Sequence, residues 1–382
     1  MKIKQRSLLA RRVSISFFFF FYGFTFASWA SRIPNIQQAL DLSETTLGAT
    51  LLAMPVGSFL TLPVSGYLTS KFGSRKVVMV ASTLYACLLV AIGFSSNVIQ
   101  LSVSLFLFGS AGNMFNISVN TQAIALEKLY QKTIISSFHG MWSVAGLFAA
   151  FLGTYLIGKN FPVNYHFLLI ASISLISFII CMQYLLHDAA QEKQERRPFF
   201  TKPDKAFLGL GIIAFCSMIC SGAMFDWSGV YFKKEVTNNA AYIGVGYTAF
   251  MISQTGTRFI TDWLTDRIAL QKVIVGCGIF TFVGLLVSVF FPYLIPSTVG
   301  MLLVGIGVAP VVPLVFSAAG RSKTLPPAAA IAAVASIGFI GQLIGPPMIG
   351  FVAGLTSLKI SFFILAFFGV AIVIAALNKK IE

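Results

Sequence analysis

The sequence predicts an all-α membrane protein in which twelve transmembrane helices form two pseudo-symmetric six-helix bundles. Three observations carry that expectation. Mean hydropathy is +0.86, and 57% of the 382 residues are hydrophobic against 10% charged. A chain so composed has too little polar surface to fold in water, and a bilayer crossing needs an apolar helix because no solvent satisfies the backbone there. Charged and turn-forming residues then divide the chain into twelve apolar runs, at 13–34, 45–69, 77–95, 98–124, 135–158, 165–187, 205–231, 240–264, 272–291, 297–319, 328–354 and 361–378. Finally, the chain repeats. The basic turn at 66–76 recurs at 262–272, an offset of 196 that sets Lys71 on Arg267 and Lys76 on Lys272. The same offset sets Gly48 on Gly244, Gly109 on Gly305 and Gly158 on Gly354, while Trp29 and Trp227 match at 198.

The two bundles are 1–187 and 205–382, joined by a hydrophilic linker, 188–204, of mixed charge. The formal net charge of +15 invites a nucleic-acid partner, and the positions of the charges argue against one. If the first run starts inside, the cytoplasmic side holds Lys2, Arg6, Arg11, Arg12, Lys71, Arg75, Lys76, Lys128, Arg196, Arg197, Arg267, Lys272, Arg321 and Lys380, among others. The other side holds Arg32, Lys159, Lys233, Lys234 and Lys359. The positive-inside rule then puts both termini in the cytoplasm, so the basicity is topogenic.

The five cysteines fall inside apolar runs with no C-x-x-C pair, as small core residues would. No phosphate-cradling G-x-x-x-x-G-K-[ST] occurs, and no nucleophile–base or metal-ligand constellation stands outside the apolar runs. The expectation is a protein that is not an enzyme, has no cofactor, and acts as a monomer in a lipid bilayer. Residues 1–29 imitate a cleaved signal, with a basic start and small residues near Ala30, but the run is long enough to span, with Trp29 and Arg32 anchoring its far end.

Taken in order, the first run offers Phe18, Tyr22, Thr25, Trp29 and Arg32 on one broad face. Ser43 can cap the helix of the second run, which Pro55 and Pro63 then kink. The turn after it carries Gly66, Lys71, Gly73 and Arg75. In the fourth run Asn113, Asn116 and Asn120 share a face, either as interhelical glue or as the lining of a wet cavity. His139 lies between Ser136 and Ser143 on one face of the fifth run, either as a proton-coupling group or as a neutral histidine bonded to serine.

In the seventh run Asp226 and Trp227 sit near the far end. Asp226 is either a structural acid, with Arg32 as a candidate partner, or a protonatable carboxylate at a cavity mouth. The eighth run aligns Tyr247, Gln254, Arg258 and Asp262, so that Arg258 and Asp262 can pair four residues apart beside the second turn, which carries Asp266 and Arg267. Pro310 and Pro313 should interrupt the tenth run and Gly345-Pro346-Pro347 the eleventh.

The twelve-run plan and the loop pattern G-x-x-x-x-[KR]-x-G-x-[RK]-[RK] resemble the major facilitator superfamily over the whole chain. The family's acidic loop residue is replaced here by Ser70, while the second copy keeps Asp266-Arg267. A finer resemblance is to bacterial inner-membrane permeases distantly related to fucose–proton symporters. It rests on Ser31-Arg32-Ile33-Pro34, Asn120-Thr121-Gln122-Ala123, Ser136-Ser137-Phe138-His139-Gly140, Asp226-Trp227-Ser228, Ala318-Ala319-Gly320-Arg321 and Gly345-Pro346-Pro347. It implies the major facilitator fold, with runs one, four, seven and ten lining a central cavity. Substrate would then meet Tyr22, Trp29, Arg32, Asn113, Asn116, Asn120 and Trp227, protons would couple through Asp226 and His139, and the two loops with Arg258 and Asp262 would gate. The expected partners are a small polar solute such as a sugar, and protons. A proton-antiport exporter and a non-transporting receptor of the same fold are the rival readings.

Overall fold

The computed structural model describes residues 2–131, 134–187, 205–321 and 327–378, with the side chains of 2–7, 205–206, 262, 327–329 and 332 outside that description. The linker 188–204 therefore lies outside the described residues. In the first half the helices are α1 (Lys2–Ala39), α2 (Glu44–Leu51), α3 (Ala53–Phe72), α4 (Ser74–Gly93), α5 (Val98–Tyr130), α6 (Ile135–Gly158) and α7 (Val163–Cys181). The second half holds α8 (Lys205–Tyr231), α9 (Ala240–Ile243), α10 (Val245–Thr265), α11 (Leu270–Phe290), α12 (Leu294–Val308), α13 (Val311–Gly320), α14 (Pro327–Leu355) and α15 (Leu358–Leu377).

Prolines explain two of the breaks. A proline ring clashes with the carbonyl four residues earlier. Pro55 thus meets Leu51, where α2 stops, and Pro313 meets Ala309, between α12 and α13. The break expected at Gly345-Pro346-Pro347 is absent, since α14 runs unbroken through both prolines. There Gly341 and Gly345 let α14 lie directly on the backbone of Phe215 and Ile219 in α8, so packing holds the helix together across the freed carbonyls.

Among the described residues, eleven helical segments are long and apolar enough to cross a bilayer. The expected eighth span is present as α10 but is not one of them. Gln254, Thr255, Thr257, Arg258 and Thr261 dilute its hydropathy, and the helix buries Gln254, Thr257 and Thr261 against its neighbours. The outward faces of the long helices carry Ile99 at 76% exposure and Ile179 at 62%, which suits hydrocarbon contact.

The chain divides into two compact units. Unit 1 is Met1–Asp41, Ala53–Leu156 and Asn160–Arg196; unit 2 is Leu42–Leu52, Ile157–Lys159 and Arg197–Glu382. In unit 1 the phenylalanine-rich start of α1 feeds an aromatic core, with Phe18 stacked on Phe178 at 4.9 Å and Tyr85 on Phe108 at 4.1 Å. Unit 2 has an aliphatic core, with Ile213, Ile274, Val315, Val334 and Ile372 packed together.

The sequence repeat is also a packing repeat. In unit 1 the Cα of Gly109 lies against the backbone carbonyl of Met54, and in unit 2 that of Gly305 lies against the carbonyl of Phe250. Both members of the second pair stand 196 positions after those of the first, so one glycine-mediated helix crossing was built twice.

Unit 1 has one tie with no counterpart. The Gln122 amide nitrogen donates to Ser74 Oγ at 2.8 Å and to the Leu186 carbonyl at 3.0 Å, and its oxygen accepts from Leu186 N at 2.8 Å. The position 196 residues on is Ala318. Gln122 thus pins the chain as it leaves α7.

Candidate functional site

The C-terminal part of α1, from Thr25 to Asn35, carries the most unusual feature of unit 1. Thr25 Oγ1, Ser28 Oγ, Trp29 Nε1, Arg32 Nη2 and Asn35 Oδ1 are all buried without a hydrogen-bond partner. At 100° per residue these positions fall within an arc of about 120° on one face. Buried polar atoms are nearly always paired, so five such atoms on one face leave hydrogen-bonding capacity there that the described protein groups do not use. Trp29 and Arg32 are each 1% exposed.

Arg32 has one described protein partner, and it is not a carboxylate. Its Nε donates to Nδ1 of His166 at 3.0 Å. His166, in the first turn of α7, is 0% exposed, and its Nε2 has no partner. The sequence reading missed His166, which sits at the edge of the sixth run with no periodic companion. Only the packing of α1 on α7 brings the two together. The Trp142 indole on α6, beside Gly23 of α1, adds another unpartnered N–H.

Tyr22 sits lower on α1, its ring 5.1 Å from Phe115 and 5.4 Å from Tyr85. Asn116 is within hydrogen-bonding reach of its hydroxyl. All three expected asparagines of α5 are half-buried. Asn120 spends its amide on the Asn116 carbonyl at 2.8 Å, while Asn113 Oδ1 has no partner. The stripe is therefore divided: Asn120 is tied to its own helix, Asn116 reaches Tyr22 of α1, and the Asn113 side-chain oxygen is buried without a partner.

In unit 2, Asp226 is 8% exposed and Trp227 0%, with the Trp227 indole nitrogen and the Tyr247 hydroxyl unpartnered. Tyr247 is within electrostatic reach of the Asp226 carboxylate. Neither described ion pair involves Asp226. One turn or more before Trp227, Gln254 Nε2 of α10 reaches Ser221 Oγ at 3.4 Å, roughly the limit of a hydrogen bond. His139 is exposed in the second turn of α6, edge-on to Phe19 at 5.3 Å, and Ser143 donates to its backbone carbonyl.

The two repeated turns differ in construction. In the first, α3 runs through Gly66 to Phe72 and α4 begins at Ser74, so Gly73 alone reverses the chain, at φ 81° and ψ 143°. Only glycine adopts that conformation without strain. Lys71 is exposed and donates to the Tyr67 hydroxyl at 3.0 Å, and Arg75 donates to the Met182 carbonyl at 3.3 Å. In the second, residues 266–269 make an open connection ending at Ala269 with φ −52°. There Asp266 and Arg267 are exposed, and Arg267 lies over the Trp263 ring at 4.3 Å. Arg258 sits two turns before the end of α10; the Asp262 side chain lies outside the described residues, and so does the expected pairing between them.

Unit 2 also contains a close glycine contact. A Cβ on Gly48 of α2 would lie 2.8 Å from the Pro346 carbonyl, and one on Gly350 of α14 would lie 2.5 Å from the Glu44 carbonyl. Gly354 abuts Thr45, and Gly158 abuts Ala241. These two contacts correspond with their partners exchanged, since Gly354 stands 196 positions after Gly158 and Ala241 stands 196 after Thr45. Beside them Lys234 pairs with Glu44, and Lys359 with Glu235 at 3.4 Å.

The family model described as Major Facilitator Superfamily matches residues 13–327. An uncharacterised MFS-type transporter of Yersinia pestis is 28% identical over 364 residues, 94% of either chain. Among solved structures, the nucleoside transporter NupG superposes with a TM-score of 0.75 at 13% identity, covering 96% of this chain and 98% of that one. FucP in its outward conformation gives 0.63 at 18% identity, covering 98% and 99%. The structural likenesses show the fold, the all-α major facilitator arrangement, and the family match shows a transporter rather than an enzyme. On the match across 13–327 and the full-length relative, the chain belongs to the Major Facilitator Superfamily.

Proposed function

We propose that this multi-pass transporter carries a small polar organic solute into the cell by alternating access, driven by protons. The observation that carries the reading is the line of five unpartnered buried polar atoms on α1. Amides, hydroxyls and indole N–H groups on one face match a solute rich in oxygen, with Tyr22, Trp29, Arg32, Asn113, Asn116 and Trp227 as its contacts and Asn120 supporting them. That the structural neighbours include a nucleoside transporter and FucP is in keeping with such a solute.

Asp226 is the preferred coupling group, because a buried carboxylate outside any described ion pair can exchange a proton without breaking a salt bridge. His139 is the secondary one, in a position open to exchange at the other end of the fold. Both termini are placed in the cytoplasm of a bacterial inner membrane. In that orientation the glycine contacts of Gly48 with Gly350 and of Gly158 with Ala241 form the outer seal. The turns bearing Gly66, Lys71, Gly73, Arg75, Asp266 and Arg267, with Arg258 and Asp262, form the inner one. Both seals act on a monomer.

The test is reconstitution in liposomes with an inward proton gradient, following internal pH while pools of small polar solutes are added. Acidification dependent on one pool and lost in Asp226→Asn supports the proposal. Solute exchange without proton movement removes the coupling, and faster loss from preloaded vesicles in place of uptake replaces import by export.

A further inference from the structure

From the Arg32–His166 pair we infer that the transported solute is an organic anion whose carboxylate, or an equivalent oxyanion, docks on Arg32, which His166 orients. The inference rests on the transporter reading above and narrows its solute class. Guanidinium nitrogens only donate, so His166 Nδ1 must accept from Arg32 Nε. The imidazole is then neutral, with its proton on Nε2. Of the nitrogens left over, Arg32 Nη2 and His166 Nε2 are N–H donors that are buried and unpartnered.

Three further features agree. Arg32 is a cation at 1% exposure whose described hydrogen bond goes to a neutral ring, and no carboxylate in unit 1 is described in an ion pair with it. A buried charge left so is costly, and an anionic oxygen accepting from Arg32 Nη2 removes the cost, while His166 Nε2–H, on the far edge of the ring, is left for another oxygen of the solute. His166 also stands in the first turn of α7, a helix of 19 residues whose N-cap is Pro162 with no side-chain cap. That end carries partial positive charge and free backbone N–H groups, which favours an anion as well. Three residues before Arg32, on the same face of α1, the Trp29 indole is another orphaned donor. The acceptors, Asn35 Oδ1 and Asn113 Oδ1, suit hydroxyls or amines on the rest of the solute.

His166 is thus a positioning residue that also offers a donor, and Arg32 is the anion contact. The pair is closed to solvent in this state, so the anion reaches it only when the outer ends of α1 and α7 are open to the cavity.

The test uses the full-length protein in detergent and in liposomes. A bacterial small-metabolite extract is freed of chloride and phosphate and split by ion exchange at pH 7 into anionic, neutral and cationic fractions. Thermal stabilisation and counterflow are measured with each. The anionic fraction should act, and Arg32→Gln should raise its half-saturating concentration by about 10- to 100-fold. His166→Gln, whose amide can both accept from Nε and donate, should stay within about threefold, while His166→Phe should lose about tenfold. These two variants keep the arginine and carry the test if Arg32→Gln does not fold. Activity confined to the neutral or cationic fraction overturns the inference and leaves the transporter reading standing. Equal stabilisation by sodium chloride or sodium phosphate alone also overturns it, because the pair would then hold a structural counter-ion. If no fraction exchanges, the transport of small metabolites fails together with it.

Discussion

The leading helices of the two units, α1 and α8, are repeats of each other that have diverged at their polar ends. Around Trp29, α1 gathers a cation and four more unpartnered polar atoms, with a histidine from α7 to orient the cation. Around Trp227, α8 keeps one acid, the unpartnered indole and a tyrosine from α10. Two copies of one packing plan have thus been given opposite charges. Duplicated helix crossings such as Gly109 on Met54 and Gly305 on Phe250 fix the scaffold, which leaves the polar positions free to differ.

The sharpest way to break this comparison is to remove each charge. Arg32→Ala should lower both gradient-driven uptake and equilibrium exchange by about 100-fold, because a buried charged contact is lost in either mode. Asp226→Asn should lower gradient-driven uptake by a similar factor and leave exchange within about threefold, as expected if the acid moves protons and does not hold solute. Parallel uptake and exchange assays on both variants decide; equal loss of exchange in both would mean that the acid binds solute as well.

Next in size is the glycine contact of unit 2. Gly350→Trp places a large ring where even a Cβ would press on the Glu44 carbonyl. If this contact is the proposed seal, uptake should fall about tenfold, with a matching rise in labelling of a cysteine placed on the C-terminal end of α14, corresponding to roughly 1.4 kcal/mol. Gly276, with nothing within 4 Å, is the control position and should accept alanine without effect.

The tie found in unit 1 alone gives the third contrast. Gln122→Leu strands the Leu186 amide and carbonyl and should cost about 2–3 kcal/mol in thermal or denaturant unfolding, while Ala318→Ser at the equivalent place should change little. Smallest is the difference between the two turns. Gly73→Ala should cost about 1–3 kcal/mol because φ 81° excludes a side chain. Ala269→Gly, at an ordinary φ of −52°, should stay within about 0.5 kcal/mol. A Gly73→Ala protein as stable as its parent would show that the first turn relaxes into the form of the second.

Most of the architecture was readable from the amino-acid order because the bilayer imposes it. Apolar length defines a crossing, and a repeat of 196 positions recurs as a repeated helix contact, Gly109 on Met54 and Gly305 on Phe250. The breaks at Leu51 and Ala309 were legible for the same local reason, since each proline acts on the carbonyl four residues before it. Where tertiary packing overrules local chemistry the reading failed: α14 passes through Pro346 and Pro347 because α8 supports it. The eighth run is a helix as expected, α10, although its polar residues keep its hydropathy below that of the other spans.

The candidate site divides along the same line. Tyr22, Trp29 and Arg32 share a face by helical spacing, and the sequence alone assigns them to it. That Arg32 meets His166, 134 positions away and in another helix, was decided only by the packing of α1 on α7. So was the pattern of which polar atoms are left unpaired. Spacing determines which residues of one helix share a face, because the helix fixes their angles; whether each finds a partner depends on what another helix brings to that face, and only the folded chain determines that.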